Sequence, residues 1–176
     1  MCQTINQAKL SMIIDIFLLL VLIPISFIIN ALAHELGHAI AGKLVGLTIH
    51  RIVIATDLRK EPVKPLFTLF GTEFYLAANS LISSVTTSGV AFSRHPLKQL
   101  FFNLAGPISG AFMAIVFAFY AVNLTQTTAV NVTAVCVSVF YIAMDLANLK
   151  PQLQAYGTPS DGWKVRDAWR KLRTKK

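Results

Sequence analysis

Three long apolar stretches set the frame of this chain. One long mixed stretch and one short uncharged stretch separate them. Between Met12 and Ala33 the only polar side chains are Asp15, Ser26 and Asn30. That run of about 22 residues makes about 33 Å of helix, enough to span a bilayer. Its helical pattern continues to Val45, so the first span is read over residues 12–45, with Pro24 expected to kink it and Gly46 to stop it. At Leu47 the period changes. Leu47-Thr48-Ile49-His50-Arg51-Ile52-Val53-Ile54 is β-branched and partly alternating, which predicts a strand. Residues 57–62 form a polar turn. One or two further strands are expected in 66–92, a stretch too polar and broken for a span. The β-rich insertion therefore covers 47–93. The second span is read over 97–122, with Pro96 in its first turn, and the third over 128–149. In the tail, 150–176, Val165, Ala168, Trp169 and Leu172 lie on one helical face among basic residues, a pattern suited to an anionic membrane surface. The expected fold is one membrane α-helical domain, 1–176: three transmembrane helices, a β-rich insertion between the first and second, and a C-terminal amphipathic tail.

Composition agrees with that frame. Of 176 residues, 55% are hydrophobic and only 14% charged, where soluble domains carry about a quarter charged. The net charge is +8. In a soluble chain that would suggest nucleic acid, but here the basic residues flank apolar runs, so they are assigned to the membrane surface and to topology. Six Lys/Arg lie from Arg51 to Lys98 and eight from Lys150 onward. The positive-inside rule then puts the N-terminus outside and the central insertion and tail in the cytoplasm. Cys2 and Cys136 are too far apart in character and position for a disulfide framework or a thiolate metal site. The first apolar run is too long for a signal-peptide core, so no cleavable leader is expected.

Candidate chemistry sits at the end of the first run, in His34-Glu35-Leu36-Gly37-His38. Helix positions i and i+4 share a face, so both imidazoles can meet one metal ion, and the Glu beside them can take a proton from water. A solvated surface helix is the plain alternative. It fits poorly, because titratable groups closing a membrane-length run are costly unless paired or metal-bound. His50 and His95 have no ligand-spaced partner and read as ordinary strand or loop residues.

The orientation places this motif, Asn103 and the stretch from Asn148 to Asp161 on one side of the membrane. Zinc needs at least a third protein ligand, and among the carboxylates on that side Asp161, in Ser160-Asp161-Gly162, stands out. By itself, without the His34–His38 motif, Asp161 reads better as a turn former or N-cap of the tail helix than as a ligand. Asn103-Leu104-Ala105-Gly106-Pro107 interrupts the second span with polar and small residues, which suits either helix packing or a substrate-facing role. Asp145, three residues before Asn148 and on about the same face, is expected to face the cleft or stay neutral.

Taken together, three motifs resemble the site-2 protease family of intramembrane zinc metalloproteases: His34-Glu35-Leu36-Gly37-His38, Asn103-Leu104-Ala105-Gly106-Pro107, and Asn148-Leu149-Lys150-Pro151 followed by Asp161-Gly162. They fall in the family's order and cover nearly the whole chain. The gap from Pro151 to Asp161 is longer than in the compact form of the third motif, and no separate PDZ or CBS domain is expected. The resemblance implies one Zn²⁺ per chain held by His34, His38 and Asp161, Glu35 as catalytic base, and Asn103 and Asn148 as substrate-binding residues. It implies hydrolysis of peptide bonds in or near the transmembrane segments of membrane proteins. Expected partners are a transmembrane protein substrate and the lipid bilayer, with a homo-oligomer left open. The alternative is a catalytically silent membrane zinc-binding scaffold. A transporter with a metal site is disfavoured by three spans without an inverted repeat.

Overall fold

The computed structural model describes residues 2–55, 64–76, 83–88, 95–124, 128–153 and 159–174. The polar turn expected at 57–62 lies outside them. In chain order the elements are α1 (Cys2–Leu44), β1 (Thr48–Ile54), β2 (Phe67–Leu69), β3 (Thr72–Leu76), β4 (Ser84–Ser88), α2 (Pro96–Leu124), α3 (Thr128–Asn148) and α4 (Asp161–Thr174).

Three of these helices contain segments long and apolar enough to cross a membrane: Leu20–Leu44, Pro96–Asn123 and Thr128–Asn148. Their outer faces carry exposed Phe17, Ile29, Phe112, Phe119, Phe140 and Leu146. Apolar area on that scale suits lipid and not water. Helix α1 begins at Cys2, well before the apolar run, and continues through Pro24. Pro24 cannot donate to the preceding turn. Near it, Ser26 Oγ and Tyr141 Oη of α3 both donate to the Ile23 carbonyl, at 2.8 and 3.2 Å. Helix α2 packs against α1, α3 and α4.

The insertion forms a four-stranded sheet in the order β2-β3-β1-β4. Strand β1 runs parallel to β3 and antiparallel to β4, while β2 and β3 form a hairpin. The aromatic-rich stretch around Gly71 holds two strands, so the described residues of 66–92 contain three where one or two were expected. The reason is local: Phe70 and Gly71 take φ of 49° and 74°. Two successive residues in the left-handed region make the mirror-image turn that joins strands with a two-residue loop. Stacking of Phe67 on Phe74, with ring centroids 4.5 Å apart, braces the hairpin. Ile49, Ile52 and Ile54 of β1 bury against Ala39 of α1 and Phe102 of α2. The sheet is thereby fixed to the same helix ends that carry the candidate metal ligands.

Candidate metal centre

His34 and His38 are both buried on α1, with ring centroids 5.0 Å apart. Each uses its Nδ1 away from the other. The His38 Nδ1 donates to the Phe102 carbonyl oxygen at 2.7 Å. Since a carbonyl can only accept, the proton sits on Nδ1 and the Nε2 lone pair is left free. The His34 Nδ1 lies 2.7 Å from Oδ1 of buried Asp145 on α3. With that carboxylate as acceptor, His34 takes the same tautomer. Both Nε2 atoms then turn toward Asp161 Oδ2, at 3.4 Å from His34 and 3.3 Å from His38.

Asp161 reaches this point because of how α4 starts. Ser160, not Asp161, is the N-cap: its Oγ accepts from the Trp163 N–H at 3.2 Å and donates to the Lys150 carbonyl at 2.7 Å. Asp161 is the first helical residue, and the positive end of the helix dipole favours its charge. The linker's ends are stitched together by a bridge between Leu153 and Pro159 and by Ser160 N–H donating to Gln152 O at 3.0 Å. A long connection thus returns to the end of α3. At Gly162 a Cβ would run into the Leu149 carbonyl. A residue with any side chain there would push α4, and Asp161 with it, off the site.

The donor set fits zinc. Three electron-rich atoms, two imidazole nitrogens and one carboxylate oxygen, lie within 4.8 Å of one another. A tetrahedral ion with bonds of about 2.0–2.1 Å sets its ligands about 3.3 Å apart, close to both His–Asp separations. Such lone pairs repel each other unless a cation joins them. The partners behind the ligands also fit: a carboxylate and a backbone carbonyl fix the imidazoles, as is usual for metal-bound histidine. Gly106 of α2 completes the cradle, since a Cβ there would overlap the His38 ring. Lys164 Nζ stands 3.3 Å from Asp161 Oδ1. Glu35, between the two histidines in sequence, is 4% exposed.

A profile of the Peptidase M50B-like family matches residues 7–149. This chain belongs to that family. The M50B-like match spans His34, Glu35, His38, Asn103 and Asn148 and stops before Asp161. The placement of Asp161 beside the two histidines therefore rests on the fold. Neither the curated proteins nor the solved structures gave a match. Membership makes this a site-2 protease-type membrane metallopeptidase family, in keeping with the three apolar helices.

The remaining sequence candidates fall as follows. Asn148 Nδ2 donates to Asp161 Oδ2 at 2.7 Å, so its amide steadies the Asp161 carboxylate. Asn103 is buried and donates one turn back along α2 to the Gln99 carbonyl at 2.7 Å. Asp145, expected to face the cleft or stay neutral, faces His34. The Phe102 carbonyl and Lys164 were not legible as site groups. For Asp145 a signal existed, a carboxylate in an apolar span one turn before Asn148, but nothing local named its partner. Asn148→Ala should lower zinc affinity by about 10–100-fold, the usual loss when a ligand's supporting hydrogen bond goes. Competition against a chromogenic chelator measures it. A rise in KM with unchanged zinc affinity would instead assign Asn148 to substrate.

Proposed function

We propose that this chain is an intramembrane zinc metalloendopeptidase that cleaves membrane proteins in or near their transmembrane segments. The observation that carries the reading is the convergence of His34 Nε2, His38 Nε2 and Asp161 Oδ2 beside buried Glu35, at the end of a membrane-length helix. One Zn²⁺ held by the three ligands supplies Lewis acidity at a scissile carbonyl. The chain's own groups do the rest. Glu35 accepts a proton from the attacking water and delivers it to the leaving nitrogen. Asp145 and the Phe102 carbonyl hold the imidazoles in the ligating tautomer, while Asn148 and Lys164 hold the carboxylate.

A substrate helix hides its amides in its own hydrogen bonds, so it must unwind locally before attack. Strands β2 and β4 end the sheet of described strands, and an unwound segment can add to such an edge. On this reading Asn103 of α2 and Asn148 of α3 are the polar groups that hold the unwound segment. Purified protein in detergent or nanodiscs should cleave a single-span membrane protein, with the cut mapped by mass spectrometry to the span or its flank. A zinc chelator should stop the reaction and added zinc restore it. Cleavage indifferent to chelation would remove the metallopeptidase reading.

The orientation belongs to the same proposal: N-terminus outside, C-terminus cytoplasmic, on the distribution of Lys and Arg. In a Cys2→Ser/Cys136→Ser background, Thr174→Cys should resist a membrane-impermeant thiol reagent in intact cells and react after permeabilisation. Labelling from outside reverses the assignment.

A further inference from the structure

Helix α4 has two differently equipped polar flanks. At 100° per residue, Trp169, Arg173, Arg166, Arg170 and Trp163 follow one another around the helix within a sector of about 120°. All five are exposed, the two indoles by 50% and 37%. Arg166 stacks over the Trp163 ring at 4.3 Å and Arg173 over Trp169 at 5.6 Å. Among the described residues none of the three guanidiniums is in an ion pair. The other flank is internally neutralised: Lys171 pairs with Asp167 at 2.6 Å and Lys164 with Asp161 at 3.3 Å. Ala168 and Asp161 face inward.

We infer that the Arg166–Arg170–Arg173 face of α4, with Trp163 and Trp169 at its margins, binds the anionic phospholipid headgroups of the bilayer and so seats the helix that carries Asp161. Three observations select this occupant. The helix starts against Leu149, at the end of a membrane-length helix, so its face lies at the level where the bundle leaves the lipid. Arginine forks suit phosphate geometry, and indoles with guanidiniums stacked on them suit the headgroup layer, where one edge is apolar and the other wet. The uncompensated charge lies in one sector, and the flank that could cancel it is already paired. The inference goes beyond the proposed proteolysis and does not depend on turnover.

The two tryptophans of the chain both lie on α4, so tryptophan emission, excited selectively over the tyrosines, reads this helix alone. Purified protein is placed in nanodiscs of neutral phosphatidylcholine, with or without phosphatidylglycerol, and quenched by lipids brominated near the headgroup. Anionic lipid should shift the emission to the blue and increase quenching, and high salt should reverse both. Arg166→Gln/Arg170→Gln/Arg173→Gln should lose the response, whereas Lys171→Gln, on the paired flank, should keep it. Each guanidinium removed should weaken the lipid association by about fivefold. Zinc should be lost to a chelator faster in neutral than in anionic nanodiscs, and equally fast in both for the triple variant. Equal emission and quenching in the two bilayers, or a triple variant that responds like wild type, would overturn the inference. So would an acidic peptide producing the same response in neutral nanodiscs, which would make the face a peptide site.

Discussion

Glu35→Gln should retain fold and zinc and lose cleavage by at least about 100-fold, the lower end of what a positioned general base contributes. The substitution preserves shape, and it removes the charge from a residue that is 4% exposed. It touches neither the Nε2 atoms nor Asp161. What it removes is the ability to accept a proton from water. The experiment needs three readings on one preparation: zinc per chain, thermal stability and product formed from a single-span substrate. Zinc and stability near wild type with cleavage lost assign Glu35 as the base. Cleavage near the wild-type rate refutes the protease reading. A wild-type protein that also fails to cleave any substrate, while holding zinc, leaves the silent scaffold as the better account.

His34→Ala and His38→Ala should both lose most of the zinc, because each removes one of three protein ligands. Their effects on stability should differ, and the difference tests the partners behind the ligands. Removing His34 strands the Asp145 carboxylate, whose other oxygen is already buried without a partner among the described residues. Leaving a buried carboxylate without its donor costs more than the about 1–3 kcal/mol of a neutral group. Removing His38 costs the Phe102 carbonyl, a neutral acceptor within α2, one hydrogen bond, about 0.5–1.5 kcal/mol. In metal-free protein, His34→Ala should therefore unfold at the lower temperature. Restoring it with His34→Ala/Asp145→Ala should recover stability but not zinc. Equal stability of the two single variants would mean that Asp145 does not depend on His34, and full zinc retention in both would refute the metal centre.

What the amino-acid order settled by itself is what depends on near neighbours. Apolar runs of membrane length specify three helices, because in lipid every backbone group must be satisfied within the segment. Helical spacing puts His34 and His38 on one face wherever the helix goes. The β-branched run at 48–54 becomes β1 for similarly local reasons. The number of strands after it was less legible, since a bulky Phe70 in the left-handed region is an unlikely turn residue and its hairpin depends on Phe67 stacking across it. Tertiary structure alone decided who stands behind each ligand. Asp145 meets His34 across 111 positions of chain, and the Phe102 carbonyl meets His38 across 64. Those meetings depend on how α1, α2 and α3 are rotated about their axes, which periodicity leaves open. Close approach at Gly106 sets that rotation on one side of the site. The place of Asp161 was likewise open between the cap of α4 and the candidate metal site, and in the fold Ser160 takes the cap. The linker's return, stitched by Leu153 and Pro159, then left the carboxylate facing the two imidazoles.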